Sequence, residues 1–175
     1  MMGCFVCQLR RDKPEDVKKG SGKTLPGNIR YVRRKAMAEI VYQLSEYTAV
    51  PCRARIEWLG ENDSALLNEH LLLAGQQPMK DRHFRKTYRK GIACYCLLWH
   101  DGLPVARGAV EPYSEQAWEA ADIRTAVDYR GRGFATEILR FLTQYIITHG
   151  KIATCRTEED NYAMQKAIAA VGYIA

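Results

Sequence analysis

Apolar positions along this chain follow two periods, and the switches between them mark out the elements. From Ile29 to Tyr47 the residues Val32, Met37, Ile40, Val41 and Leu44 recur mostly at helical spacing. That pattern predicts an amphipathic helix, which Pro51 prevents from continuing. Arg53 to Leu59 alternates as a half-buried strand does. Asn62, Asp63 and Ser64 offer caps for a helix whose apolar face is Leu66 to Leu73 and whose stop is Gly75. Lys80 to Lys90 carries six Lys/Arg and one acidic residue, with His83, Phe84 and Tyr88 interleaved. Aromatics among basic residues can mark a nucleic-acid surface; the reading adopted for this stretch is an amphipathic helix with a charged outer face. Ile92 to Trp99 and Val105 to Val110 are apolar-rich runs joined through His100-Asp101-Gly102, a hairpin signal, and Ala117 to Thr125 can extend the same antiparallel sheet. Phe134 to Tyr145 reads as a helix closed by Gly150, Lys151 to Cys155 as a short strand, and Asn161 to Val171 as a last helix before Gly172. Antiparallel strands followed by a β-α-β-α end imply an α+β, or mixed α/β, fold.

Composition narrows the class. The 175 residues are 47% hydrophobic and 26% charged, which suits one domain with an appendage. No stretch reaches 18 apolar residues and no secretory apolar segment follows Met1, so a cytoplasmic protein with no membrane partner is expected. Six cysteines are too sparse for a disulfide scaffold. Cys4 and Cys7 form a CxxC with neither a second pair nor two histidines at ligand spacing, so no metal is expected. Residues 1–35 hold ten Lys/Arg against three Asp/Glu, and the other 140 hold 16 against 17. The excess of positive charge belongs to an N-terminal arm that can attract nucleic acid or simply be solvated. The expected organisation is a basic arm with its amphipathic helix over 1–50, then the main domain over 51–175. Gly22-Lys23-Thr24 ends as a Walker A motif ends, but position 17, where that motif needs glycine, is Val.

The segment richest in chemical information runs from Ile123 to Ala135. A strand enters a loop containing Gly131 and Gly133, and the loop opens directly into a helix. First-turn amides have no intrahelical partner and lie at the positive end of the helix dipole, so a diphosphate suits them. Arg130 and Arg132 add positive charge. These residues resemble the GNAT superfamily of acetyl-CoA-dependent N-acetyltransferases. Its Arg/Gln-x-x-Gly-x-Gly/Ala signature is matched by Arg130, Gly133 and Ala135. A second signature, an Asn followed eleven residues later by Gly and an aromatic, is matched by Asn161, Gly172 and Tyr173. The resemblance covers about residues 52–175.

The resemblance implies a GNAT-like fold: a central, mostly antiparallel sheet flanked by helices, here with an N-terminal helical extension and a shortened C-terminal end. It implies acetyl transfer from acetyl-CoA to a primary amine by direct attack, with acetyl-CoA as the acyl donor. The amides from Arg130 through Gly131, Arg132, Gly133 and Phe134 to Ala135 would bind the pyrophosphate. The backbone of Ile123, Arg124 and Thr125 would pair with the pantetheine arm, Asn161 would meet that arm, and an amide near Thr125 would polarise the acetyl carbonyl. A lysine-like amine has a pKa of about 10.4 and must lose a proton before attack. Glu119, eleven residues before Arg130, is the first candidate for the base, with Glu111 and Asp122 as substitutes. It is expected to share a strand face with Ala121, Ile123 and Thr125. Many members carry a Tyr seven residues after the Asn of the last helix to protonate the departing thiolate; Ile168 stands there, and Tyr129 and Tyr162 are the alternatives. The family usually continues past Gly172-Tyr173 into further strands, so another segment, with Cys4 to Leu9 as the candidate, is expected to cover that sheet edge. The rival reading is an acyl-CoA-binding or sensing module with a basic arm that binds nucleic acid or a ribosome. The acceptor amine and the oligomeric state, a homodimer included, stay open.

Overall fold

The structure, a computed structural model, describes residues 38–45, 47–49 and 51–175. Among these residues the sheet has seven strands, in the order β2-β3-β4-β5-β6-β1-β7. In chain order these are β1 (Glu39–Leu44), β2 (Arg55–Trp58), β3 (Cys94–His100), β4 (Leu103–Pro112), β5 (Ala117–Thr125), β6 (Ile152–Glu158) and β7 (Tyr173–Ile174). Helices α1 (Ser64–Leu73) and α2 (Asp81–Arg89) follow β2, α3 (Phe134–Thr148) joins β5 to β6, and α4 (Tyr162–Ala169) joins β6 to β7. Every strand pair is antiparallel except β5 with β6. The mixed α+β architecture expected from the residue pattern is what is observed.

Strand alternation divides the interior into two layers. Cys96 and Leu98 of β3 join Val105, Ala106, Val110, Ala120, Ile138, Leu142, Ile146 and Ile168 in the main core, beneath α3 and α4. Leu97, between them, turns to the other face and meets Leu59, Leu67, Leu71 and Phe84 from the α1–α2 side. The β3–β4 turn is Asp101-Gly102, with φ of +51° and +78°. Two consecutive left-handed residues make the hairpin turn that matches strand twist. Asp63 precedes α1 but does not cap it; its carboxylate accepts from the Gly60 amide at 2.7 Å instead.

Gly108 on β4 lies where α3 crosses the sheet. A Cβ there would stand 2.5 Å from Ile138 Cγ2 and 2.9 Å from Leu142 Cδ1. Both side chains are buried, so neither can swing clear. Gly108→Ala should therefore destabilise the fold by about 1–3 kcal/mol through overpacking, read as a lower thermal midpoint; an unchanged midpoint would show that α3 shifts freely.

One expected element is corrected. The second half of the helix expected over 29–47 is β1, which pairs with β6 from Glu39↔Glu158 to Gln43↔Thr154 and with β7 through Gln43 and Leu44. The helical spacing of Met37, Ile40, Val41 and Leu44 competes with a period-2 set, Ile40, Tyr42 and Leu44. These three are partly buried, whereas Val41 is 58% exposed. Tyr42 and Leu44 pack on the main core, so sheet pairing and burial select the strand. β1 thus precedes the boundary expected at residue 51 and is nonetheless an interior strand. It occupies the edge of β6 for which Cys4 to Leu9 was the candidate cover; that segment and the basic arm lie outside the described residues.

Candidate functional site

The sheet opens between β5 and β6. The parallel pairing consists of Ala117↔Ile152, Trp118↔Ala153 and Glu119↔Thr154, and it stops there although both strands continue. The opening is a cleft of about 240 Å³, lined by residues 119–124 of β5, residues 155–158 of β6, Glu39, Asn161 and Met164. A bulge on β5 accompanies it. Against β4 the register runs Ala109↔Ala121 and then Arg107↔Arg124, so Gly108 faces both Asp122 and Ile123. Asp122 has φ +46°, the left-handed conformation that lets a bulge insert one residue.

The bulge corrects the expected face assignment. Ala120 belongs to the α3 core and Ile123, three residues on, packs against that same core. Alternation resets at Asp122, and Ile123 leaves the face that carries Glu119. The reset is held from the α1 side. Arg107, 4% exposed, donates from Nε and Nη2 to the two carboxylate oxygens of Asp122 at 2.9 and 2.8 Å. Its Nη1 donates to Gln76 Oε1 at 2.5 Å.

Below the cleft the chain passes through one 3-10 turn, Val127–Tyr129, into the glycine loop and α3. Gly131 and Gly133 have φ of +77° and +82°, and a Cβ on either would meet nothing within 4 Å. Glycine is thus required by backbone conformation, and the space above the loop is open to a ligand. Among the described residues no side chain caps α3, whose N-cap is Gly133, so its first amides face outward unanswered by a cap. Arg130 Nε donates to the Thr125 carbonyl at 3.4 Å, tying the loop to the end of β5, and the Arg132 guanidinium lies 5.4 Å from the Tyr129 ring centroid. Asn161 caps α4: its Oδ1 accepts from the Met164 amide at 3.2 Å. Its Nδ2 has no partner among the described residues and remains available at the cleft wall. The Thr125 hydroxyl is buried without a partner among the described residues. Unanswered amides, a free carboxamide donor and an opened strand suit a ligand that is a diphosphate at one end and amide-bearing at the other.

Glu119 sits at the inner end of the opening, 7% exposed. Burial pushes its carboxyl above the ordinary value, and Glu111 and Glu39 add to that. Arg156 opposes the shift: its Nε donates to both Glu119 oxygens at 3.1 and 3.0 Å. Arg156 also donates from Nη2 to the Tyr113 hydroxyl, which itself donates to Glu111 Oε2 at 3.2 Å, and its Nη1 lies 3.6 Å from Glu39. The cluster joins β1, β4, β5 and β6, and it places a buried carboxylate with a strained charge balance beside an open cleft.

The profile of the Acetyltransferase (GNAT) family matches residues 57–173. The chain belongs to the GNAT family. Solved GNAT-family acetyltransferases share its fold. One from Colwellia psychrerythraea is 23% identical with a TM-score of 0.64, and one from Novosphingobium aromaticivorans is 17% identical with a TM-score of 0.61; each comparison covers 79% of this chain. The chain spans 52% and 60% of the lengths of those two proteins. AAC(6')-Iy, solved in complex with the bisubstrate analogue CoA-S-monomethyl-acetylneamine, is 13% identical over 70% of this chain and 92% of its own, with a TM-score of 0.58. No curated protein matches the sequence.

Within this GNAT domain the structure brings Glu119, Ile123, Arg124 and Asn161 to one cleft, with Thr125 and the loop from Arg130 to Ala135 continuing from its β5 wall. Ile168 is fully buried in the main core, so its position serves packing. Cys155 is buried too, and burial pushes its thiol up to about 12, which leaves no thiolate at neutral pH. Of the alternative tyrosines, Tyr162 is 69% exposed and Tyr129 lies beneath Arg132. Arg156, Tyr113 and Arg107 carry no motif that singles them out in the sequence. The one available signal was Arg107 itself, a charge within the apolar run Val105 to Val110. Among the described residues no group of His, Cys, Asp and Glu is placed to hold a metal ion, and no helix is long and apolar enough to cross a membrane.

Proposed function

We propose that this chain transfers the acetyl group of acetyl-CoA to a primary amine by direct attack. The observation that carries the reading is the sheet opening beyond Glu119 next to a helix N-terminus that no side chain among the described residues caps. Bound acetyl-CoA supplies an activated thioester. The amides of the glycine loop and the first turn of α3, from Gly131 to Ala135, hold its diphosphate, with Gly131 and Gly133 allowing close approach, while the Arg130 amide is given to the Val127 carbonyl. The opened backbone of Ile123 to Thr125 pairs with the pantetheine amides, and Asn161 Nδ2 donates to the same arm. An amide near Thr125 stabilises the oxyanion as the amine nitrogen bonds to the acetyl carbon and the carbon–sulfur bond breaks. Glu119 takes the proton that the amine sheds, directly or through a water. Family membership and the complex of AAC(6')-Iy with a CoA-based bisubstrate analogue support the donor assignment.

A second reading, a domain that binds acyl-CoA without turning it over, draws on one observation: the position where many members carry a Tyr is a buried Ile168. Calorimetric titration with acetyl-CoA tests what both readings share. Wild type should bind stoichiometrically and Gly133→Trp should not, since a side chain at φ +82° strains the loop and an indole covers it. Absence of binding by the wild type would overturn both readings; binding retained by the variant would remove the loop from the site.

A further inference from the structure

Helix α2 carries a charge that the rest of residues 36–175 opposes. Lys80 to Lys90 holds six Lys/Arg against Asp81, whereas the remainder of residues 36–175 holds ten against sixteen Asp/Glu. Phe84 and Thr87 are the buried residues of α2. Arg85 is answered by Asp81 at 2.8 Å and Arg89 by Glu61 at 2.5 Å. Lys80, Arg82, Lys86 and Lys90 are exposed and have no acidic partner among the described residues. Arg82 and Lys86 line both of the shallow troughs, of about 640 and 580 Å³, that run along this helix.

A merely solvated helix is expected to mix charge signs, and this one does the reverse. Arg82 and Lys86, and Lys86 and Lys90, are like-charge pairs four residues apart that no acidic side chain among the described residues answers, and each disfavours the helix. Lys80 and Arg82 add cations at the end where the helix dipole is already positive. A polyanion lying along the helix would relieve all of these repulsions together. At 1.5 Å per residue, Lys80 to Lys90 spans about 15 Å. Arg82, Lys86 and Lys90, each four residues from the next, form one stripe about 12 Å long, long enough to meet about three phosphates of one strand at about 3.4 Å of axis each. Residues 1–35, outside the described residues, add ten Lys/Arg against three Asp/Glu to the same chain.

We propose that the exposed face of α2 docks the sugar–phosphate backbone of a nucleic acid, through charge and spacing and without reading bases. The surface is separate from the β5–β6 cleft and does not depend on the acetyl-transfer reading. The experiment is binding of the full chain to a short labelled DNA duplex over a salt series, followed by fluorescence anisotropy, with unlabelled polyglutamate of equal length as competitor. The triple variant Arg82→Glu, Lys86→Glu, Lys90→Glu should weaken binding at least tenfold. It should also flatten the slope of log K against log salt by about 2.7, at about 0.9 per lost phosphate contact. Thermal midpoint and acetyl-CoA binding should be unchanged, which separates lost docking from lost folding; the milder pair Arg82→Gln, Lys86→Gln should flatten the slope by about 1.8 on the same basis. Unchanged affinity and slope in both variants would overturn the proposal and move binding to residues 1–35. Absence of binding by the wild type at low salt would overturn it too, and polyglutamate displacing the duplex as well as DNA does would turn the face over to an acidic protein.

Discussion

Glu119→Gln should lower turnover by about 10² to 10⁴ while acetyl-CoA binds as in the wild type. The substitution keeps the side-chain volume and an oxygen for Arg156 to reach, and it removes the capacity to take a proton. A domain that only binds acyl-CoA would show no turnover in either form, and a Gln variant as fast as the wild type would remove Glu119 from the reaction. The pH dependence sharpens the test. Burial raises the Glu119 carboxyl above its ordinary value, and a base works only when ionised, so the acid limb of kcat/KM should fall at a pH above the usual carboxylate range. Arg156→Met removes the influence that opposes burial; the limb should then move further towards alkaline pH while turnover on the plateau persists. Stability should follow the opposite sense. A carboxyl raised in the fold contributes stability fully below its unfolded value, about 4.3, and loses it as pH rises through the raised value. At neutral pH the wild type carries that disadvantage and Glu119→Gln does not, so the variant should melt no lower than the wild type.

Features encoded within a few neighbouring residues were legible in the sequence, and those that depend on distant pairing were not. Asp101-Gly102 sets its own turn, and Gly131 with Gly133 sets the loop ahead of α3, whatever the rest of the chain does. Glu119 and Arg156 meet across 37 positions because β5 and β6 run parallel as far as that point. Nothing in either segment specifies the register. Periodicity alone does not identify β1, because Ile40 and Leu44 satisfy both periods and the decision falls to Tyr42 and its pairing with Cys155. The bulge was invisible for a different reason. It inserts one residue at Asp122, where neither Gly nor Asn advertises a left-handed conformation, and what stabilises it is Arg107, fifteen positions earlier.

That dependence makes Asp122 the position of largest expected effect on stability. Asp122→Ala leaves the Arg107 guanidinium, whose side chain is 5% exposed, without its countercharge. Stranding a buried charge costs about 3–5 kcal/mol; because Asp122 is itself 34% exposed, the lower end, about 3 kcal/mol, is expected in a denaturant melt. Alanine at φ +46° adds about 1 kcal/mol or more of backbone strain. Two further substitutions separate these contributions. Asp122→Gly loses the fork but accepts the conformation, and Asp122→Asn accepts the conformation and keeps one oxygen for Arg107, so Asn, Gly and Ala should be progressively less stable. A Gly variant as stable as the wild type would mean that the fork contributes nothing and that Asp122 matters for its backbone alone. The double change Arg107→Met, Asp122→Gly removes both charges together and should recover much of the loss, because the penalty belongs to the unpaired cation. Where these variants fold, the bulge should relax and redirect the backbone from Ile123 to Thr125. KM for acetyl-CoA should then rise before kcat falls, since in the proposed function that backbone is the wall that pairs with the donor, while Glu119, on the other side of the bulge, keeps its place beside Arg156.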